Sequence, residues 1–403
     1  MKHSCNFLKI QKNNIFISFT LSLVISLLCY LLNNCPFPYW DSLDKFSWME
    51  YVLSNLAPHE TDTNDALFIN VSHDKQVVDS LCYNREGITY TYTPNGLQVG
   101  TIDITNRDTM LSFLKKAEKT NNYKYIFLDI RFEKGITTKT DSLLSAQVAR
   151  MRDLSYATHS DIEINEKFDP TKAVVNDYFT TISNTSFTRY QYLQNVKESA
   201  ALSIYASVDT TNHKTIKRWG PFYYSNGQLC QNSPFMRIPK DFGEVADKKY
   251  YDLGPELLNE WNDEDWSNRL KDKVVFVGDF ENDVHDTYNG KQPFPYLTYL
   301  AYKELCEGKH IVSWKSIGFL FFIYVVICMF IMNRKSIWQF IPCIRRSKNK
   351  LLLFVLDMLG YTTLLSVLTI VFYVWFNNVY NIFFPSLIFS ILSLIYSYKN
   401  KSL

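Results

Sequence analysis

The chain has 403 residues and a formal net charge of +2, and this length indicates more than one structural unit. Of its 42 Lys and Arg, twelve lie outside residues 34–312, whereas only one of its 40 Asp and Glu, Asp357, does. The block 34–312 therefore has a net charge of −9. Because phosphate binding needs an excess of Lys and Arg, this block is unsuited to nucleic acid as a partner.

The first element is the apolar stretch IFISFTLSLVISLLCYLL, residues 15–32. At about 1.5 Å per residue, a helix of this length nearly spans the hydrocarbon core of a bilayer. Lys2, Lys9 and Lys12 precede it, and the following NNCPFPYW has no A-x-A-like cleavage site. We predict a retained transmembrane signal anchor at 15–33 behind a cytoplasmic arm at 1–14. A cleaved signal peptide is the alternative.

The first half of the block 34–312 alternates strand and helix patterns. Residues 65–72, DALFINVS, predict a buried strand, followed by a polar turn and a short helical run through Val77 and Val78. GITYTYT at 87–93 alternates with period two and predicts an exposed strand. TNRDTMLSFLKKAEKT at 105–120 predicts an amphipathic helix, with Thr105 and Asp108 resembling a capping box.

The second half continues the alternation. We predict strands at 123–130 and 274–277, the latter closed by Gly278, and helices at 141–154, 256–270 and 293–305. Residues 155–250 indicate shorter strands and long loops. Strands that alternate with helices indicate an α/β domain with a largely parallel sheet.

Three apolar runs at 317–332, 351–376 and 379–396 predict three more transmembrane helices within 313–398. The loop 333–350 has six basic residues and no acid, and the tail 399–403 is also basic. Since short basic loops stay in the cytoplasm, we predict a multi-pass protein of the inner (plasma) membrane, in contact with the lipid bilayer. Both termini and the loop are then cytoplasmic, and 34–312 is extracytoplasmic.

Asp357 lies inside the second of these three helices. An intramembrane carboxylate is a functional candidate. The alternative is a carboxylate near the cytoplasmic face, satisfied by Lys350 or by hydrogen bonds between helices.

Polar groups follow three predicted strands of the α/β block. In open α/β sheets, ligands bind outside the carboxyl ends of the strands, so neighbouring parallel strands would bring these groups to one edge. The candidates are His73 and Asp74 after the first strand, Asp129 and Arg131 after the second, Asp279, Asp283 and Asp286 after the last, and Arg107 at a helix start.

Structural roles are open alternatives for two of these carboxylates. A buried carboxylate needs a partner, and Arg131 or Arg107 could form a structural ion pair with Asp129. Asp286 could cap or brace the turn into the last helix.

The stretch DFENDVHD, residues 279–286, superficially resembles the alternating oxygen ligands of a calcium-binding loop. An EF-hand requires Gly at its sixth position and an acid at its twelfth, whereas this chain has Val284 and Gly290 there. A metal-dependent hydrolase using Asp279, Asp283 and His285 is a lesser alternative. The chain has no nucleophile elbow, HExxH, P-loop or dinucleotide glycine fingerprint. We therefore expect no enzyme activity and no cofactor.

Four cysteines fall in the block 34–312, namely Cys35, Cys82, Cys230 and Cys306. They allow three disulfide connectivities, but their spacing is irregular and no CxxC occurs. We expect at most one disulfide.

The order of these motifs resembles the CHASE2 extracytoplasmic sensory domain of bacteria. The matching segments are INVSHDK, NRDTMLSFL, YIFLDIRF, KVVFVGDFENDVHD and PFPYLTYLAYKEL, and the likeness covers residues 45–398. Arg107, Asp129 and Asp286 fall on the Arg and Asp positions of that family. The resemblance implies a signal anchor, an α/β ectodomain and three closing transmembrane helices. The small and His residues usual in the last soluble helix are absent here, and so is a cytoplasmic output domain.

These features together predict a membrane-anchored extracytoplasmic sensor or recognition protein. It would bind an unknown ligand or envelope component and act through its transmembrane helices on a separate membrane or cytoplasmic signalling partner. A structural subunit of an envelope complex is the alternative, and the metal-dependent ectoenzyme is the third.

Overall fold

The computed structural model describes residues 12–34, 56, 62–80, 89–92, 98–159, 162–176, 187, 189–194, 197–208, 215–239, 250–332, 350–376 and 383–399. These residues form an α/β domain, several small antiparallel sheets attached to it, and long apolar helices at the two ends of the chain.

The central sheet consists of β1 (Ala66–Asn70), β5 (Tyr125–Leu128), β6 (Leu154–Thr158), β7 (Ala173–Val175), β13 (Tyr251–Asp252) and β14 (Val274–Gly278). All pairs are parallel, in the order β13–β1–β14–β5–β6–β7. The segments ALFIN, VVFVG and YIFL are buried throughout, as expected for parallel strands covered on both faces. The predicted largely parallel α/β sheet is thus confirmed.

Helices cover both faces of this sheet. One face packs against α2 (Arg107–Thr120), α3 (Asp141–Arg150), α5 (Pro255–Glu260) and α6 (Asp263–Leu270). The other face packs against α4 (Ala200–Val208) and α7 (Phe294–Cys306). Because side chains alternate along a strand, Leu67 and Ile69 join the first layer while Phe68 joins the second. The carboxyl ends of the strands stay uncovered by either layer and hold the candidate site.

The antiparallel strands form smaller units beside the central sheet. They are β2 (Lys75–Ser80), β3 (Thr89–Tyr92), β4 (Gln98–Thr105), β8 (Leu193–Gln194), β9 (Lys197–Glu198), β10 (Ile216–Trp219), β11 (Phe222–Ser225), β12 (Gln228–Cys230), β15 (Val284–Thr287) and β16 (Gly290–Pro293). The two three-stranded sheets have the orders β2–β4–β3 and β10–β11–β12.

Several local predictions are wrong. The run through Val77 and Val78 is not helical but forms β2, because β4 offers it a partner strand. The helix predicted at 256–270 is two helices, since Asn262 caps a new one in a capping box with Asp265. The N-cap of α2 is Asn106 rather than Thr105. The side-chain Oδ1 of Asn106 accepts hydrogen bonds from the backbone N–H groups of Asp108 and Thr109.

Two further boundaries differ from the sequence prediction. The helix predicted at 141–154 ends at Arg150, because Met151 is extended and Leu154–Thr158 joins the sheet beside β5. Within the region expected to hold only strands and loops, α4 is a helix with a fully buried apolar face.

The apolar helices are α1 (Lys12–Asn34), α8 (Trp314–Met332), α9 (Lys350–Phe376) and α10 (Phe383–Lys399). Within the described residues, α1, α8 and α9 are long and apolar enough to cross a membrane, while the apolar part of α10 is shorter. They pack together through a common core that includes Ile25, Tyr324 and Phe389. The chain is therefore a candidate membrane protein with one such helix before the α/β domain and two after it.

Candidate functional site

The carboxyl ends of five parallel strands meet at a cleft of about 470 Å³. Its apolar wall includes Ile102 and Ile104 of β4 and Phe294 at the start of α7. The charged side chains predicted from the sequence that line it are Arg107, Asp129, Arg131, Asp279 and Asp283. The topology brings them together because β1, β14 and β5 are adjacent and parallel.

Asp129 follows β5 directly and is partly exposed at the floor of the cleft. Its backbone N–H donates to Val277 O at 2.7 Å, and its Oδ1 accepts from Asn176 Nδ2 at 3.0 Å. The other carboxylate oxygen, Oδ2, is buried and has no hydrogen-bond partner among the described residues. Burial, followed by the nearby charge of Asp283, raises the pKa of Asp129 to about 7, although Asn176 and Arg131 oppose the rise.

Asn176 holds Asp129 in place from the end of β7. The side chain is only 1% exposed, and its Oδ1 accepts from the Tyr190 hydroxyl at 2.7 Å. Its Nδ2 also lies 3.3 Å from Thr298 Oγ1 on α7. Sequence reasoning missed all three residues. The available signal was the short apolar run AVV that precedes Asn176, which marks a strand end like the others.

Arg107 is the first residue of α2 and is only 3% exposed. Its Nη2 donates to Arg131 O at 3.3 Å, and its guanidinium lies 4.4 Å from the centre of the Phe132 ring. The nearest carboxylate contact of Arg107 is Nε to Asp141 Oδ1 at 3.8 Å, which is too long for a hydrogen bond.

The guanidinium of Arg107 is therefore incompletely satisfied. Its Nε and Nη1 have no hydrogen-bond partner within the described parts of the chain, and each such buried donor costs roughly 1–3 kcal/mol. Burial lowers the pKa of Arg107 to about 10, while Asp141 and Glu133 oppose the change. Arg107 is thus still charged at neutral pH.

Asp279 lines the same cleft, but both of its carboxylate oxygens accept hydrogen bonds. Its Oδ1 accepts from Ser72 Oγ at 2.5 Å and from Asn282 N at 2.8 Å, and its Oδ2 accepts from Lys75 Nζ at 3.0 Å. Burial alone would raise the pKa of this carboxyl, but these hydrogen bonds outweigh it and lower the pKa. Asp279 therefore fixes the loop after β14.

The remaining predicted residues lie nearer the rim. Asp283 Oδ1 is 3.3 Å from His285 Nε2, and the His285 ring packs edge-on against Phe294. The side chain of Arg131 is exposed and lies 3.6 Å from Glu133. Asp286 is exposed on β15, does not line the cleft, and accepts through its backbone carbonyl from Phe187 N.

The structural ion pair considered for Asp129 as an alternative to a ligand site is absent from the described residues. Arg107 contacts Asp141 and Arg131 contacts Glu133, whereas Asp129 is held by the amide of Asn176. That alternative is wrong, because the sequence offered only Arg131 and Arg107 as partners, while the actual partner is 47 positions away.

Among the residues that the structure describes, the cleft does not gather a set of metal ligands. Asp279, Asp283 and His285, the set considered for a metal-dependent hydrolase, do not come together as a group able to hold one ion. In the described part of the chain, the side chains close enough to do so are His73, Asp252 and Glu281, which are exposed and lie outside the cleft. Asp74, from the same predicted strand end as His73, instead accepts from Thr109 Oγ1 at 3.4 Å.

Two other predicted features have clear positions. Asp357 of α9 is buried and accepts a 2.7 Å hydrogen bond from Ser393 Oγ of α10, so it lies in a contact between helices. Cys230 is buried and forms no disulfide. Cys35 and Cys82 lie outside the described residues.

The domain and the apolar helices share a hydrogen-bonded junction. The Tyr30 hydroxyl at the end of α1 donates to Cys230 O at 2.9 Å and accepts from Tyr223 N at 3.1 Å. On the other side, the Arg237 guanidinium lies 4.6 Å from the centre of the Tyr373 ring of α9. The backbone N–H of Arg237 donates to Glu304 Oε1 at 2.9 Å.

The segment 235–238 connects this junction to the rim of the cleft. Tyr288, in the turn between β15 and β16, donates its hydroxyl to Met236 O at 2.8 Å and accepts from Ile238 N at 2.7 Å. The same hairpin holds His285 at the cleft. A short chain of direct contacts thus joins the cleft to α9.

A scan against sequence models of protein families finds no match to this chain, and neither do searches of curated proteins and of solved structures. The motif likeness to the CHASE2 family accordingly remains a prediction from the sequence.

Proposed function

We propose that this chain is a membrane-anchored recognition protein that binds a small ligand in the strand-end cleft and transmits binding to its membrane helices. The observation that supports it most directly is that Arg107 and Asp129, which line one cleft, each have buried atoms without a hydrogen-bond partner among the described residues. Other buried polar atoms without partners lie elsewhere in the described parts of the chain, but those of Arg107 and Asp129 line a cleft, where a ligand would supply the missing hydrogen bonds.

The transmission part of the proposal follows the contacts around Tyr288. A ligand that moves His285 or Asp283 also moves the hairpin β15–β16, and Tyr288 then shifts residues 236 and 238. Arg237 between them lies on Tyr373, so the shift reaches α9. A ligand changes this equilibrium only by its difference in affinity for the two arrangements.

The membrane arrangement is part of the same proposal. Four transmembrane helices, with α10 as the fourth, would place residues 34–312 outside the plasma membrane and both termini inside. Charge supports this, because the loop 333–350 is strongly basic. Reporter fusions should show residue 378 outside and residue 347 inside. A cytoplasmic signal from a reporter within 34–312 would contradict the arrangement.

The binding step is tested by thermal shift on the full chain in lipid nanodiscs against a panel of small metabolites. A ligand at 100 times its Kd stabilises the folded protein by about 2.7 kcal/mol. At least one compound should raise the melting temperature of the parent and of Asp286→Asn, an exposed control, but not of Asp129→Asn. If no compound shifts the parent protein, the recognition function is refuted.

The transmission step needs a variant outside the cleft. Tyr373→Leu removes the ring beneath Arg237 and should leave ligand affinity unchanged. Hydrogen exchange in 235–238 and α9 should respond to ligand in the parent protein, and the response of α9 should disappear in the variant. If hydrogen exchange in α9 responds to ligand equally in Tyr373→Leu and in the parent, transmission through Arg237 and Tyr373 is refuted. If partners instead co-purify constantly, with or without ligand, the structural-subunit alternative is favoured.

A further inference from the structure

Two groups of opposite charge that have buried atoms without hydrogen-bond partners line the same cleft. Arg107 has two N–H groups without an acceptor, and Asp129 has one oxygen without a donor, within the part of the chain that is described. They do not satisfy one another, since the ion-pair contact of Arg107 is with Asp141 and the hydrogen bond of Asp129 is with Asn176.

Two basic side chains around the cleft lie beside acids and Asp283 lies beside His285, whereas Asp103 lines the cleft with no ion pair among the described residues. Lys75 lies 3.0 Å from Asp279, Arg131 lies 3.6 Å from Glu133, and His285 lies beside Asp283 at 3.3 Å. A ligand with only one charged group would satisfy the unpaired atoms of Arg107 or the unpaired oxygen of Asp129, but not both.

We propose, building on the ligand-binding function above, that the cleft binds a small zwitterion, a molecule that has both an ammonium and a carboxylate group. The ammonium binds Asp129 Oδ2, and the carboxylate binds Arg107. Amino acids with the amine on the α-carbon or at the chain end are the chemical class.

Arg107 suits a carboxylate because of where it stands. A cation in the first turn of a helix opposes the helix dipole, so this residue does not stabilise α2 by its charge. The Arg131 carbonyl and the Phe132 ring hold the guanidinium in one position. A ligand carboxylate at this point would meet both the guanidinium and the positive end of the helix.

Asp129 suits an ammonium rather than a metal ion. The groups that face it are Asn176 from β7, Asp283 from the loop after β14, and Arg131 on its own loop. A bound metal would need several oxygen or nitrogen ligands around one point, and the cleft does not gather them. An ammonium needs few acceptors, and Asp129 Oδ2, which is buried and has no hydrogen-bond donor among the described residues, is such an acceptor.

Binding of an ammonium is coupled to the proton on Asp129. Since the pKa of this carboxyl is about 7, the ammonium must displace the proton from part of the molecules at neutral pH. Affinity for the zwitterion should thus increase from pH 6 to pH 8. His159 and His285 also line the cleft and can exchange protons. Proton release that comes from Asp129 is therefore identified by its absence in the Asp129→Asn variant.

The experiment compares three kinds of probe (zwitterions, an amine and a carboxylate) by titration calorimetry on the full chain in nanodiscs. 4-Aminobutanoate and the α-amino acids carry both charges, butylamine carries only the ammonium, and butanoate carries only the carboxylate. We expect at least one zwitterion to bind the parent protein at least tenfold more tightly than its one-charge analogues. Titrations in two buffers of different ionisation heat should show proton release at pH 7.

Two cleft variants and one control assign the charges. Asp129→Asn should remove the preference over butanoate and abolish proton release, while Arg107→Gln should remove the preference over butylamine. Asp286→Asn, with the same chemical change at an exposed position outside the cleft, should behave as the parent does. Because the ligand analogues are compared on the unaltered protein, the result stands even if Arg107→Gln does not fold.

The outcomes separate the two proposals. If one-charge compounds or uncharged metabolites bind the parent as tightly as zwitterions do, the zwitterion proposal is overturned and ligand recognition stands. If neither these probes nor the general panel bind, both proposals fail. Zwitterion binding that is unchanged in Asp129→Asn and Arg107→Gln would overturn the assignment to this cleft.

Discussion

Replacing Asp129 by Asn should stabilise the protein at pH 8 and leave it nearly unchanged at pH 4. Asn keeps an oxygen for the amide of Asn176 and cannot carry a charge. Asp129 has a raised pKa, so the folded chain holds a proton between about pH 4 and pH 7 that the unfolded chain has lost. The stability of the parent therefore falls as pH rises through this window, and it is level above it.

The magnitude follows from the two pKa values of the carboxyl. A rise from 3.8 to about 7 corresponds to roughly 4 kcal/mol of unfolding free energy once both states are ionised. Water in the cleft reaches Asp129 in part, so we expect roughly 2–4 kcal/mol. For a domain of this size each kcal/mol changes the melting temperature by about 2–4 °C.

The assay is the melting temperature of the full chain in nanodiscs from pH 4 to pH 9, for the parent and for Asp129→Asn. The difference in melting temperature between Asp129→Asn and the parent should increase between pH 4 and pH 7 and then stay constant. Glu304 gives an independent comparison, since burial raises its pKa to about 7 as well, and Glu304→Gln should show the same sign. Parallel curves for the parent and Asp129→Asn would refute the argument that Asp129 is held in a costly buried state.

Two further variants test packing around the site and at the junction. A Cβ on Gly278 would lie 2.5 Å from Pro295 Cγ, so Gly278→Ala should lower stability by roughly 1–3 kcal/mol, whereas Gly254→Ala, with nothing within 4 Å, should melt close to the parent. Tyr30→Phe removes the hydroxyl that donates to Cys230 O and should cost roughly 1–3 kcal/mol; an unchanged melting temperature in nanodiscs would mean that this junction contributes nothing to stability.

The sequence determined the elements whose burial follows from local pattern. Short continuous apolar runs such as ALFIN and VVFVG, in alternation with helix patterns, indicate strands of a parallel sheet covered on both faces without any partner being known. Because ligand groups in such sheets lie beyond the carboxyl ends, the convergence of Arg107, Asp129 and Asp279 was also within reach of the sequence.

Only the tertiary structure decided which of these groups are satisfied. Asp129 is held by Asn176, 47 positions away, and Asn176 meets Thr298, another 122 positions along the chain. Hydrophobic periodicity describes which face of an element is buried, but it contains no information on which distant polar groups meet there. For the same reason the sequence assigned Asp286 to the site, although Asp286 is exposed on the hairpin β15–β16. The sequence also could not show that atoms of Arg107 and Asp129 lack hydrogen-bond partners among the described residues.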